Sequence, residues 1–262
     1  MVAKIFEKKR TLWRLPKSMS YANFINELLA NTKLQEIKIG NSTRYVYRPT
    51  TVYELTASLK HNGYFSHLSA LYLHGLVNEK PSKLYFNREQ SDKDNQDEYV
   101  IGQSDIDNAF SKPQRVSKNI ASYNDYQIIL LNGKYTNNDG IINLLHSTEG
   151  DLNTTSLERT LIDITVRPVY AGGVQNVLNA YEKLKGKVSG IAINTMLDKL
   201  DFIYPYHQAI GFYMETAGYG ENDYNIFMDS GINYDFYLAH AMEEREYSEK
   251  WRIYYPKGFS LA

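Results

Sequence analysis

The sequence contains no cysteine, which excludes a disulfide framework, a cysteine nucleophile, a thiolate zinc site and an iron–sulfur cluster together. No stretch approaches the ~18 apolar residues of a membrane span. The start, Met-Val-Ala-Lys-Ile-Phe-Glu-Lys-Lys-Arg, turns charged before an apolar signal segment can form. A cytoplasmic protein, neither secreted nor membrane-inserted, is the expectation. Nucleophile elbow, Walker loop, Rossmann fingerprint and zincin motif are missing, as is any internal repeat with a period of roughly 20 to 50 residues.

Charge of either sign is nearly balanced over the whole chain, with 29 Lys+Arg against 30 Asp+Glu, but not along it. Residues 1–48 hold ten basic and three acidic residues, a balance of +7, which leaves the remainder with 19 basic and 27 acidic residues, or −8. A small basic head on an acidic body is the electrostatic signature of a nucleic-acid-binding module joined to a second function. The 262 residues, 43% of them hydrophobic, suffice to bury a sizeable core.

Ser20 is placed to cap a helix through Tyr21, Phe24, Ile25, Leu28 and Leu29, whose spacing makes one apolar stripe and leaves Asn23 and Asn26 on the wet face. An alternating run from Leu34 to Ile39, a Gly40-Asn41-Ser42 turn and the segment Thr43 to Arg48 read as a hairpin. Helix, hairpin and basic flank predict a winged helix over 1–48, its first helix abbreviated because Thr11 to Pro16 looks extended. The DNA-facing candidates are Lys17, Ser20, Tyr21, Asn23, Asn26, Lys33, Arg44, Tyr45, Tyr47 and Arg48, with helix side chains reading bases and hairpin side chains meeting phosphates.

An α+β body is expected over 49–262. Thr51 and Glu54 form a capping-box pattern, and a buried helix starts at Ser66. A polar, acidic loop spans about 88–105; its Asp92 to Asp97 stretch starts like a calcium loop but lacks the turn glycine and the final glutamate. Gln127 to Leu131 reads as a core strand. Helices are expected from a Thr155-Ser156-Leu157-Glu158 capping box, over Val174 to Leu184, around Ile193 to Leu200 and from His207 to Ala217, and the runs Tyr234 to Leu238 and Trp251 to Tyr255 are β-prone.

Little in the body points to catalysis. His67 and His74 lie about 10.5 Å apart along a helix, too far to share an ion without other ligands, and the histidines read as packed or surface residues. Glu158 and Asp163 point apart on their helix and cannot share a metal. Arg159, Asp163 and Arg167, at i, i+4 and i+8, place one carboxylate between two guanidiniums, as a surface ion ladder, as an antitoxin surface or, as a third reading, as a buried hydrogen-bonded network. No catalytic residue, metal or cofactor is expected.

Six segments resemble one family when taken together: Gly63 to Leu76 (GYFSHLSALYLHGL), Asp105 to Phe110 (DIDNAF), Leu157 to Asp163 (LERTLID), Val166 to Gly173 (VRPVYAGG), Tyr204 to Tyr213 (YPYHQAIGFY) and Trp251 to Gly258 (WRIYYPKG). Across residues 11 to 260 the chain resembles the AbiEi antitoxins of abortive-infection phage-defence systems. The resemblance implies a type IV antitoxin: a non-enzymatic protein whose N-terminal winged helix binds double-stranded operator DNA and represses its own operon. Its C-terminal domain would oppose a nucleotidyltransferase-like toxin without needing a stable complex with it. The short N-terminal module departs from the commoner layout. The alternatives are a metal-dependent nuclease using acids such as Glu158 or Asp235, and a protein-interaction module with a basic head.

Overall fold

The computed structural model describes residues 2–31, 33–92 and 100–260. The chain begins with α1 (Val2–Lys9), the short first helix, and residues 11–14 of the stretch expected to be extended form turns instead. Phe6 is the reason α1 forms: it is 1% exposed and packs edge-on to Tyr21 and against Phe24 of α2 (Tyr21–Ala30). Ser20 caps α2, its Oγ accepting from the Asn23 amide at 3.1 Å. The hairpin follows as β1 (Gln35–Ile39) and β2 (Ser42–Val46), antiparallel with Ile37 opposite Arg44.

The body is built on a six-stranded mixed sheet of order β5-β6-β4-β3-β8-β7, formed by β3 (Tyr64–Phe65), β4 (Lys83–Glu89), β5 (Ile120–Tyr123), β6 (Tyr126–Gly133), β7 (Ile141–Ser147) and β8 (Gly150–Thr155). Its parallel centre pairs β4 with β6 from Lys83 opposite Gln127 to Glu89 opposite Gly133. Strand alternation separates two faces. Leu84, Phe86 and Ile128 join Ile37 and Ile39 of the hairpin and Val52, Tyr53 and Leu55 of α3 (Val52–Ala57) in one buried cluster. Tyr85, Ile129 and Leu131 face the other way, onto Tyr170. The boundary expected at residue 48 therefore falls inside a single hydrophobic cluster, and the hairpin belongs to the body's core.

α4 (His67–Leu73) and α6 (Leu157–Val166) lie between the sheet and a helical layer of α7 (Val174–Leu184), α8 (Gly190–Leu200), α9 (Tyr206–Thr216) and α10 (Glu221–Asp229). The capping box expected at Thr155 is displaced by one residue: Thr155 ends β8, and Ser156 caps α6 by accepting from the Arg159 amide. Glycine decides one packing point. A Cβ on Gly211 would lie 2.2 Å from the Trp251 ring, so α9 can seat the fully buried tryptophan only because residue 211 has no side chain. α5 (Gln103–Phe110) and the three-stranded sheet β10-β11-β9, from β9 (Phe236–Tyr237), β10 (Arg245–Ser248) and β11 (Ile253–Pro256), close the molecule. The architecture is α+β. Residues 93–97 of the calcium-like stretch lie outside the described residues. Among the described residues, no helix is long and apolar enough to cross a membrane.

Candidate functional site

Two regions hold the residues singled out by the sequence. In the first, the order helix, helix, hairpin leaves Asn23 and Asn26 exposed on one face of α2 and Lys17 and Lys33 exposed at its two ends. Tyr45 and Tyr47 project from the hairpin end, Tyr47 being 78% exposed. Ser20 and Tyr21 have structural work, the first as the cap and the second against Phe6. Spacing alone does not reveal Lys8 and Lys9 in the last turn of α1, or Arg14, all exposed and adding to the same positive region. Trp13, 45% exposed, stacks on Phe24 with ring centroids 5.8 Å apart.

The hairpin arginines sit differently from the expectation of free phosphate-binding cations. Arg44 donates from Nε and Nη2 to the Ser58 carbonyl at 3.2 and 3.0 Å, so it closes the carboxyl end of α3, where a cation is favoured. Arg48 grips Glu54 through both terminal nitrogens, at 2.6 and 3.3 Å. The hydrogen bonds from Arg48 hold the Glu54 carboxyl below its ordinary pKa. Both guanidiniums are thus spent on fixing the hairpin to α3.

The second region is a cavity of about 970 Å³ at the carboxyl ends of β4 and β6, the position where sheets with parallel strands present ligand sites. Asn87 and Leu131 to Thr136 form its sheet wall, and α6 with the 3₁₀ turn Pro168–Tyr170 its helical wall. Gly133 lets the two strands close up: a Cβ there would lie 2.8 Å from Asn87 Nδ2, and its amide donates to Asn87 Oδ1 at 2.9 Å.

Of the readings open for the α6 ladder, a surface ion ladder does not hold: Arg159 and Asp163 form a buried pair. Arg159 is 5% exposed and Asp163 8%, because α6 packs on the sheet and on α4, α7, α8 and α9 at once. Arg159 Nε donates to Asp163 Oδ1 at 2.9 Å, and its Nη1 donates to Thr136 Oγ1 at 3.1 Å and to the Asp139 carbonyl at 2.7 Å. The Thr136 hydroxyl donates a hydrogen bond to Glu89, whose carboxylate also accepts from the Thr136 and Asn138 amides. Asp163 Oδ2 is buried with no donor. Arg167 leaves the ladder: it is the cap that ends α6, at φ −135° and ψ 70°, as expected of a residue before proline. Its Nη1 donates to the Arg115 carbonyl at 2.8 Å, and its guanidinium lies 5.8 Å from the Tyr170 ring centre.

His67, expected as a packed or surface residue, is buried at the cavity wall. Its backbone takes a left-handed φ of 53°, and its ring packs edge-on to Tyr170 with Nδ1 2.8 Å from Ser66 Oγ. Burial pushes its pKa down to about 4, so the ring is neutral at pH 7. Burial likewise raises the phenol of Tyr206. Of the acids considered as metal ligands, Glu158 accepts from Ser156 Oγ, and Asp235 is held low by Arg252 and Tyr247. Among the described residues, no group of three or more His, Asp or Glu side chains is placed to hold a metal ion.

No family model and no curated protein matches the sequence. Among solved structures, the fold is similar to that of the RV2827C protein from Mycobacterium tuberculosis, with a TM-score of 0.59 at 10% identity over 97% of this chain and 85% of that one. The likeness is one of fold.

Proposed function

We propose that the chain is a non-enzymatic type IV antitoxin of the AbiEi kind, one that binds operator DNA through its N-terminal segment and represses its own operon. The observation that carries the reading is the exposed Asn23 and Asn26 face of α2, set between the exposed cations Lys17 and Lys33 and followed by a hairpin. A short helix presenting amides between cations is suited to reading base edges while being anchored on phosphates. The charge balance of +7 in residues 1–48 supports it, as does the resemblance of the six segments. The partner opposed by the body is a nucleotidyltransferase-like toxin, and the site of action is the cytoplasm.

The test uses fluorescence anisotropy with duplex DNA from upstream of the gene. Lys17→Ala and Lys33→Ala should each weaken binding to all sequences and lower the salt slope by about one unit, whereas Asn23→Ala and Asn26→Ala should change sequence preference. Identical behaviour of all four variants would remove α2 from the groove. Co-expression with a neighbouring nucleotidyltransferase-like reading frame tests the antitoxin half, through restored growth.

A further inference from the structure

We propose that the cavity beside α6 binds a nucleoside phosphate, an assignment independent of the DNA-binding reading. Its four cations are divided in use. Lys134 is paired with Asp201 and Arg159 with Asp163. Arg115 and Arg167 are left over: among the described residues the Arg115 guanidinium has no ion-pair partner, and Arg167 spends only Nη1, on a carbonyl. Both residues line the cavity, and Arg167 is bonded to the Arg115 carbonyl; guanidiniums are suited to phosphate oxygens.

The opposite requirement sits deeper. Asp163 Oδ2 is an acceptor oxygen, its side chain 9% exposed, with no hydrogen-bond donor among the described residues. A buried carboxylate oxygen is satisfied only by an N–H or O–H, and no phosphate oxygen can supply one at neutral pH. The ligand must therefore carry an anion at one end and a donor at the other. The lining is also aromatic, with Tyr170, Phe202, Tyr204 and Tyr206, which favours a flat ring. An anion, a planar ring and an N–H or hydroxyl donor together define a nucleoside phosphate. The volume of about 970 Å³ accommodates one.

The experiment is calorimetric titration of the full chain with AMP, GMP, CMP and UMP and their triphosphates, with the free nucleosides and inorganic phosphate as controls. At least one nucleotide should bind with a Kd below about 1 mM, and its nucleoside and inorganic phosphate should each bind at least about tenfold more weakly. The double variant Arg115→Ala, Arg167→Ala should weaken that nucleotide by roughly tenfold or more at an unchanged melting temperature, because Arg115 is exposed and Arg167 half-buried. Asp163→Asn should also weaken it; should that variant fail to fold, the arginine pair still decides. The proposal falls if no nucleotide binds at about 1 mM. It also falls if the nucleoside or phosphate alone binds as tightly as the nucleotide, or if the double arginine variant binds like the wild type.

Discussion

Replacing Asp163 by alanine should cost the protein far more than a helix ion pair at the surface would. The carboxylate is one of the partners of a guanidinium that is 5% exposed, and the others, Thr136 Oγ1 and the Asp139 carbonyl, are neutral. Removing it leaves a buried positive charge without its counter-ion, for which about 3 to 5 kcal/mol is expected, against at most about 1 kcal/mol for an exposed pair. At roughly 2 to 4 °C per kcal/mol for a chain of this size, the melting temperature should drop by about 6 to 20 °C. The joint replacement Arg159→Met, Asp163→Leu should recover most of that loss, because it removes both charges and fills the space. Urea unfolding of the two single variants and the double variant gives the coupling energy directly. A loss below about 1 kcal/mol for Asp163→Ala, or a double variant as unstable as the sum of the singles, would refute the buried-pair reasoning.

Two further predictions concern the core. His67 has a folded pKa depressed to about 4 against an ordinary 6.5, so between those values the unfolded chain binds the proton and the native chain does not. Its contribution is intact above about pH 6.5 and shrinks as the pH falls to about 4, a loss of about 3 kcal/mol. His67→Asn, which tolerates the left-handed φ of 53°, should lessen the pH dependence of stability between pH 7 and 4 by that amount, and an unchanged dependence would contradict the assignment. Ile39, 1% exposed in the cluster shared by hairpin and sheet, should lose about 2 to 5 kcal/mol on replacement by alanine. Measured in a Trp13→Phe background, the loss should appear in the fluorescence of Trp251, far along the chain in the helical core; an unmoved Trp251 transition would mean that the hairpin unfolds separately.

Periodicity located the helices α2, α3, α4, α7, α8 and α9 and the strands β6, β9 and β11, because each carries its apolar residues at the spacing its own backbone demands. The missed elements have weaker patterns. Gly150 to Thr155 alternates Leu152 and Thr154 inward with polar residues outward, and threonine is a quiet core residue in a hydropathy pattern. α5 shows only Ile106 and Phe110 to its core. The division at residue 48 followed charge and proline, whereas the core follows Ile37 and Ile39, whose alternation already marked a strand with one buried face. A strand's apolar face must be covered, and α3 and the sheet, downstream of the expected boundary, are what cover it.

The cavity was hidden for a different reason. Its wall draws on residues from His67 to Tyr206, brought together by the parallel pairing of β4 and β6 and by the packing of α6, and sequence spacing carries no information about such assembly. Two parts of it were nevertheless written locally. Pro168 follows Arg167 directly, which takes Arg167 out of helical geometry and so breaks the i+8 step of the ladder. Between Arg159 and Asp163 the sequence reads Thr-Leu-Ile, and Ile164, Thr165 and Val166 follow, so seven of the ten residues of α6 are apolar or threonine. A helix of that kind is buried, and an arginine and an aspartate four residues apart on it must meet each other inside the protein, where the unshared oxygen of the aspartate needs a donor from somewhere else.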